Sequence, residues 1–253
     1  MTANAQHPPR VRLSVGMLLP SGNIVAERQI RAMLAPGVEL HTTRLALTGS
    51  SDEDLARMTD RLEEAAGLLA DAHVDLIAFN CTAVSMHEPA MDARIADRIK
   101  TATGIRAVTT AEAIIAALET LAANRVALVT PYIEAVTKRE AAFLAHHGVD
   151  VMCEASYGIN SNWDMAQVSG QTWRAFAREH RQEGADACLM SCTAIESAEV
   201  IEDIERDLDC PVVTSNQALA WYCQRIGGIE DAVEGFGALL SSVTAKAPVP
   251  PQD

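Results

Sequence analysis

The chain has 253 residues, of which 49% are apolar, so it can bury a sizeable core, and this excludes disorder as the default state. Its 34 acidic residues outnumber its 20 basic ones, and a formal net charge of -14 opposes binding to nucleic acid or anionic membranes. No run approaches the roughly 18 apolar residues of a membrane span, and the first ten residues lack a signal-peptide core, so we expect a cytoplasmic protein.

The first half of the chain alternates strand-like and helix-like segments. Residues 11–19 are apolar on both faces and predict a buried parallel strand. Residues 52–72 show helical periodicity, and residues 74–79 predict a second buried strand. Residues 89–103 return to the helical period.

The second half shows the same alternation. Short apolar runs at residues 125–129, 185–190 and 211–213 predict strands. The helical stretch 137–148 ends on Gly148, a residue typical of helix C-termini. Alternating strands and helices predict an α/β protein with parallel sheets.

The chain repeats itself at a spacing of 111 residues, which is the separation of Cys81 from Cys192. A second pair of similar segments, starting at residues 107 and 212, has a spacing near 105, and each joins a strand to a helix that begins with threonine. Two related α/β halves are predicted. The matches in the 111-residue register are Pro20 with Pro131, residues 37–39 with 148–150, Asp75 with Asp186, and residues 80–83 with 191–194.

The repeat predicts two pseudo-symmetric domains, with parallel sheets flanked by helices and the active site in the cleft between them. We expect the first half to comprise residues 11–108 plus 214–240, and the second half residues 109–213. No linker rich in glycine or serine separates the halves, so they should pack closely. The remaining residues, 1–10 and 241–253, are expected to be flexible termini.

Two of the six cysteines, Cys81 and Cys192, directly follow predicted strands, at the edge where parallel sheets bind ligands. We expect each thiol to lie near a helix N-terminus, which can lower its pKa from about 8.5 toward neutrality. No Cys-x-x-Cys pair occurs, so no metal site is predicted. The alternative is that a cysteine is a small buried hydrophobe, and it accounts for Cys153, Cys188, Cys210 and Cys223.

These motifs resemble the aspartate/glutamate racemase superfamily, in which a Cys-Thr pair follows the third strand of each half. Residues 20–23, Pro-Ser-Gly-Asn, resemble the Pro-Ser-Ser-Asn turn of maleate isomerases and arylmalonate decarboxylases. Residues 130–132, Thr-Pro-Tyr, resemble the turn that carries their substrate-binding tyrosine. Residues 158–162 lie where maleate isomerases have a second binding asparagine, and either Asn160 or Asn162 could be that residue. The likeness covers residues 11–230.

The resemblance implies that Cys81 and Cys192 are the catalytic thiols of an enzyme that needs no cofactor and no metal. No G-x-G-x-x-G turn follows the first strand, so no nicotinamide or flavin is expected. The implied substrate-binding residues have other uses as well, because asparagine and threonine cap helices and form loops, and tyrosine packs in cores. These residues are Asn23, Thr82, Ala83, Tyr132, Asn162, Thr193 and Ala194.

Departures from each branch define the alternatives. Amino-acid racemases of the superfamily typically have an Asp-Ser-Gly turn and a histidine soon after the second Cys-Thr, and this chain has neither. Arylmalonate decarboxylases have a small residue at the position of Cys81. Compared with maleate isomerases, this chain has Gly22 in place of the second serine of the turn, and Thr193 and Ala194 after Cys192 where those enzymes have other residues. A histidine partner for Cys81 could instead be His87, whereas His146 and His147 fit a helix end better than a metal site.

The function implied by the resemblance is cis-trans isomerisation of a small unsaturated dicarboxylate, of the maleate-to-fumarate type. One alternative is a two-thiol racemase or decarboxylase of a small carboxylic acid or hydantoin-like substrate. Another is a non-catalytic module that binds small acids. A homo-oligomer is expected, with no nucleic-acid or membrane partner.

Overall fold

The fold is built on two four-stranded sheets in which every strand pairing is parallel. A computed structural model describes residues 11–49 and 51–242. Most of the predicted flexible termini, residues 1–10 and 243–253, lie outside the described residues. Residue 241 is the last residue of the final described helix, so the second predicted terminus begins within ordered structure.

The first sheet has the strand order β2-β1-β3-β4. Its central strand β1 is buried along its whole length, as expected for a parallel strand covered on both faces. The strands are β1 (Leu13–Pro20), β2 (Val38–Leu45), β3 (Leu76–Phe79) and β4 (Ala107–Thr109). The helices of this part of the chain are α1 (Ala26–Ala32), α2 (Asp52–Met58), α3 (Leu62–Ala70), α4 (Thr82–Ser85) and α5 (Met91–Thr103).

The second sheet has the equivalent order β6-β5-β7-β8. Its strands are β5 (Arg125–Thr130), β6 (Asp150–Ser156), β7 (Ala187–Met190) and β8 (Val212–Thr214). The helices are α6 (Thr110–Thr120), α7 (Glu134–His146), α8 (Asn162–Gln167), α9 (Gly170–Glu179), α10 (Ile201–Leu208), α11 (Ser215–Ile226) and α12 (Gly237–Ser241), with a 3-10 turn at Ala198–Val200. None of the helices in the described residues is long and apolar enough to cross a membrane.

Strand register confirms the internal repeat. Gly16 pairs with Ile77 in the first sheet and Ala127 pairs with Cys188 in the second, and both residues shift by 111 positions (127 − 16 and 188 − 77). The fourth strands shift by 105, since Thr109 and Thr214 occupy equivalent places (214 − 109). The predicted fold of two pseudo-symmetric parallel α/β domains is therefore correct.

A turn just before the third strand of each sheet is also repeated. The Asp75 carboxylate accepts the backbone N–H of Ser14 at 2.8 Å, and the Asp186 carboxylate accepts that of Arg125 at 2.9 Å. Ser14 and Arg125 are again 111 positions apart (125 − 14). Each aspartate thereby ties the start of its third strand to the central strand of the same sheet.

Two features differ from the sequence prediction. The stretch 52–72 is not one helix, because it breaks between Met58 and Leu62. At the break, the Thr59 carbonyl accepts the Leu62 N–H at 3.3 Å and the Arg98 guanidinium at 2.7 Å. Strands β2 and β6 were missed, since burial varies along these edge strands and their sequences lack a continuous apolar run.

Helices α6 and α11 follow the last strand of each sheet. The predicted threonine starts are confirmed: Thr109 accepts the N–H of Glu112 at 3.1 Å, and Thr214 accepts that of Gln217 at 3.2 Å. Helix α11 packs on α6 and α1, and it shares an apolar cavity with Val15 of β1. Helix α6 lies in the predicted second half and α1 in the first, so this packing does not assign residues 214–240 to either half, and the domain boundaries stay a prediction.

Candidate active site

Cys81 and Cys192 occupy equivalent places at the carboxyl ends of β3 and β7. The residue before each cysteine extends the sheet, since Asn80 N–H donates to Leu18 O at 2.7 Å and Ser191 N–H donates to Val129 O at 2.9 Å. Both cysteines are buried, with 5% and 2% of their surface exposed. The carboxyl ends of parallel strands are where α/β proteins bind ligands.

The two sulfurs interact electrostatically, because charge on Cys192 raises the pKa of Cys81. The Cys192 sulfur accepts the N–H of Ala194 at 3.2 Å and lies 3.9 Å from the Met165 sulfur. The nearby Tyr132 side chain lowers the pKa of the Cys192 thiol. The structure thus brings Tyr132, a predicted substrate-binding residue, to the second thiol.

The expectation that both thiols have lowered pKa values is wrong. Burial raises the pKa of Cys81 to about 12, and the N–H groups of Val84 and Ala83 offset only part of this effect. Burial likewise raises the pKa of Cys192 to about 12, against the opposing effects of Tyr132 and Ala194. Helix α4 has four residues, and a turn follows Cys192, so neither thiol lies at the N-terminus of a long helix. Both thiols are neutral at pH 7.

Asn23 is fully buried and uses its whole side-chain amide. Its Oδ1 accepts the N–H groups of Val25 and Ala26, each at 2.9 Å, so the helix-capping alternative is confirmed. Its Nδ2 donates to the Thr193 carbonyl at 3.0 Å and to the Thr193 hydroxyl at 3.1 Å. Asn23 therefore also ties the turn after β1 to the second cysteine motif, across the two halves.

Asn162, rather than Asn160, has the buried amide. Asn162 is 8% exposed, and its Nδ2 makes no hydrogen bond with the described residues, whereas Asn160 is exposed. A side chain built at Gly22 would approach the Asn162 Cβ to 3.5 Å, which places Asn162 beside the turn after β1. Buried amides are nearly always paired. An unpaired one is an available donor for a ligand at this turn.

The residues that follow each cysteine are buried as well. In each half, a backbone N–H two residues after the cysteine faces the cysteine sulfur. The N–H of Ala83 faces Cys81, and the N–H of Ala194 faces Cys192. The Thr82 hydroxyl donates to Ser215 at 2.9 Å, and Thr193 receives the bonds from Asn23 described above. The predicted backbone donors therefore surround the two thiols.

A buried polar network joins the two halves behind the thiols, and sequence reasoning missed it. Asn216 Nδ2 donates to Gln29 Oε1 at 2.9 Å and to the Thr193 carbonyl at 3.0 Å. Its Oδ1 accepts from Asn80 at 3.4 Å. Asn216 is the second residue of α11, so this network depends on a tertiary contact that no local pattern encodes.

Glu140 is the other residue that sequence reasoning missed. It lies on the buried face of α7, is 1% exposed, and neither carboxyl oxygen makes a hydrogen bond with the described residues. Burial raises its pKa from 4.5 to about 8. Its charge raises the pKa values of Cys81, Cys192 and Tyr132. Its spacing of four residues from Val136 and from Leu144 was the available signal, because it puts a carboxylate in an apolar helical stripe.

The predicted histidines lie apart from this arrangement. His87 Nδ1 contacts the Arg139 guanidinium at 3.4 Å, and His147 packs on Phe143 with ring centroids 4.4 Å apart. Within residues 11–49 and 51–242, no group of three His, Cys, Asp or Glu side chains could hold a metal ion. The six cysteines are all free thiols.

Comparison with known proteins finds two kinds of related enzyme, maleate isomerases and arylmalonate decarboxylases. The family model described as arylmalonate decarboxylase (Amdase) matches residues 15–240. A maleate isomerase from Nocardia farcinica is 30% identical over 246 residues, covering 91% of this chain and 98% of the relative. An arylmalonate decarboxylase from Bordetella bronchiseptica is 29% identical, covering 90% and 96%. A solved structure of a Nocardia farcinica maleate cis-trans isomerase, a cysteine-to-serine variant with a covalently bound succinylcysteine intermediate, has a TM-score of 0.87 and 27% identity, covering 90% and 98%.

Proposed function

The chain belongs to the arylmalonate decarboxylase family, and from that membership we propose that it is a cofactor-independent cis-trans isomerase of a small unsaturated dicarboxylate of the maleate type. The observation that carries the proposal is the presence of two buried thiols, Cys81 and Cys192, at equivalent strand ends with charge coupling between them. Solved decarboxylase structures share the fold, but their TM-scores of 0.77 to 0.83 are lower than the 0.87 to 0.88 of the maleate isomerase structures. The cysteine at position 81 favours the isomerase, because the resemblance gives decarboxylases a small residue there.

The proposed reaction begins at Cys81. Its thiol first releases its proton to solvent, and the resulting thiolate forms a bond to one alkene carbon of the cis-enedioate. The π electrons move onto the neighbouring carbon and its carboxylate, giving an enolate. The succinylcysteine intermediate of the Nocardia relative is the adduct expected after this enolate gains a proton.

Cys192 completes the cycle. Its thiol gives a proton to the carbanion carbon, and the former double bond, now single, rotates. The Cys192 thiolate then takes a proton back from that carbon, the carbon–sulfur bond to Cys81 breaks, and the trans alkene leaves. Atoms and charge balance, since the proton that Cys192 donates is returned and Cys81 departs as the thiolate that entered.

The predicted binding residues supply fixed donors for the two carboxylates and the enolate. We assign this role to the Tyr132 hydroxyl, to the unpaired Asn162 amide, and to backbone N–H groups in the two cysteine motifs. Asn23 holds Thr193 in place through its two bonds. Donors fixed before the reaction are worth several kcal/mol in a site that excludes water. The remaining members of the proposed binding set are Thr82, Ala83 and Ala194.

Proton NMR of the purified protein with maleate in heavy water tests the proposal. Appearance of fumarate is the expected result. Deuterium incorporation into chiral acids with loss of optical rotation, and no fumarate, would instead indicate the two-thiol racemase. Binding of maleate without any turnover would indicate the non-catalytic module.

The setting of the enzyme is part of the proposal. We infer that the protein is a cytoplasmic homo-oligomer. We also infer that its partners are small molecules, because the net charge of -14 opposes binding to nucleic acid and anionic membranes. Size-exclusion chromatography with light scattering tests the oligomer, and a single-chain mass of 27.1 kDa would contradict it.

A further inference from the structure

Helix α7 has two acidic residues in contrasting places. Glu134 is exposed in the first turn and forms an ion pair with Lys138. Glu140 faces the interior with Val136 and Leu144, and both of its carboxyl oxygens lack hydrogen bonds with the described residues. An unpaired carboxylate is costly to bury, so a structure that retains one holds it as the neutral acid.

The groups around Glu140 come from several elements. The Ser191 hydroxyl, at the end of β7, and the guanidinium of the adjacent Arg139 both lower the pKa of Glu140, but burial has the larger effect and raises it to about 8. The Ser191 hydroxyl makes no hydrogen bond of ordinary geometry with it.

The other neighbours of Glu140 are acids of the proposed site. Cys81 precedes α4, Cys192 follows β7, and Tyr132 precedes α7, and a charge on Glu140 disfavours ionisation of all three. Each of these groups is neutral at pH 7, because burial raises its pKa well above that value. The buried face of α7 is also tied to the strand ends that carry the site, since the Thr137 hydroxyl, one turn before Glu140, bonds the Thr130 hydroxyl at 2.7 Å. The next strand is joined there through Ser191, which precedes Cys192 and donates its N–H to Val129 O at 2.9 Å. Glu140 therefore lies at the same end of the second sheet as Cys192, and it is the first of these acids to lose its proton as the pH rises.

We propose that Glu140 is a positioning residue that couples dicarboxylate binding and thiolate formation to its own proton. With its proton, the site presents no fixed negative charge to the substrate dianion. Without it, a buried carboxylate repels the substrate and opposes ionisation of Cys81. The identity of the substrate rests on the proposed function, but the effect of Glu140 on the thiols does not.

Linkage makes the coupling reciprocal. If a dianion binds more tightly when Glu140 is protonated, then binding of the dianion must raise the pKa of Glu140. Binding above pH 8 should therefore take up a proton from solution. This uptake is measurable as a dependence of the apparent binding enthalpy on the ionisation enthalpy of the buffer.

The test compares the wild type with Glu140→Gln, and uses Glu134→Gln on the same helix as the matched control. Succinate, a saturated dicarboxylate that cannot isomerise, is titrated calorimetrically from pH 6.5 to pH 9.5 in two buffers. In the wild type and the control, Kd should rise toward about tenfold per pH unit above pH ~8, with proton uptake. In Glu140→Gln, both effects should vanish. Parallel Kd profiles in all three proteins would overturn the proposal.

Alkylation by iodoacetamide, a neutral probe, gives a readout that does not depend on the substrate. At pH 9.5, Cys81 of Glu140→Gln should react roughly tenfold faster than Cys81 of the wild type, because the neighbouring negative charge is gone. If succinate binds to none of the proteins but this difference persists, the substrate class is wrong and the role of Glu140 stands. Equal alkylation profiles would refute that role.

Glu140→Met provides a second variant, which fills the same space without polar atoms. Circular dichroism establishes that each variant is folded before binding is measured. Loss of the pH dependence in both variants is the expected result, and its retention in either folded variant contradicts the coupling.

Discussion

Replacing Glu140 by glutamine is expected to change how the free energy of unfolding depends on pH. The pKa of Glu140 is about 8 in the folded protein, against an ordinary value of 4.5. Between these values the folded chain holds a proton that the unfolded chain has lost, so stability falls as the pH rises, and the loss is complete above pH 8. The difference of 3.5 units (8 − 4.5), at about 1.36 kcal/mol per unit, amounts to roughly 5 kcal/mol. A typical domain has about 5–15 kcal/mol in total.

Urea unfolding of the wild type and Glu140→Gln, under reducing conditions from pH 5.5 to pH 8.5, measures this effect. The variant should lose less stability than the wild type over this range, and the gap between the two curves should change by about 3 kcal/mol. A constant offset between the curves is unimportant, because a buried glutamine amide has its own pH-independent cost. Glu134→Gln should follow the wild type. Parallel curves for Glu140→Gln and wild type would refute the reasoning, since they would mean that Glu140 ionises alike in both states.

Five further substitutions test the site. After incubation with maleate, Cys81→Ala should show no turnover and, by intact-mass spectrometry, no covalent adduct. Cys192→Ala should instead show a substrate-sized mass increase on Cys81. An adduct on Cys192 in the variant that lacks Cys81 would reverse the two roles. Asn162→Ala should raise KM roughly tenfold while thermal stability changes little, because its amide nitrogen has no hydrogen-bond partner among the described residues, and a large drop in Tm would show a structural role instead. Asn23→Ala should cost about 2–4 kcal/mol of stability by urea unfolding, since it removes buried bonds in two directions, and an unchanged midpoint would contradict this. Tyr132→Phe should slow alkylation of Cys192 near pH 9, because the hydroxyl that lowers the thiol pKa is lost, and an unchanged rate would remove Tyr132 from contact with the sulfur.

The duplicated architecture was predictable because its signals are local and repeated. Strand-end cysteines, turn prolines and threonine helix caps lie at fixed spacings along the chain, and the strand register reproduces those spacings of 111 and 105 residues. Strands β2 and β6 were not predictable in the same way. They lie at sheet edges, where one neighbouring strand is missing and burial no longer requires a continuous apolar run.

The charge state of the site could not be predicted from sequence. A cysteine before a short helix suggests an electropositive surrounding, yet the pKa of Cys81 rises to about 12, because burial outweighs two backbone N–H groups. How deeply a side chain is buried depends on how the halves pack, and this is a property of the whole fold. The same holds for Glu140, whose place in an apolar stripe is visible in the sequence but whose thiol neighbours are not.

The two thiols have equivalent backbones but different donors, and the difference supports unequal roles. Cys81 is approached by the N–H groups of Ala83 and Val84, which stabilise a thiolate but cannot give up a proton. Cys192 is approached by the Tyr132 side chain, which lowers the pKa of its thiol, and by the N–H of Ala194 at 3.2 Å. A nucleophile gains most from fixed backbone donors, whereas a group that exchanges protons gains from a hydroxyl neighbour. Duplication therefore supplied two similar thiols, and we propose that divergence of the loop that carries Tyr132 makes Cys81 the attacking sulfur and Cys192 the acid.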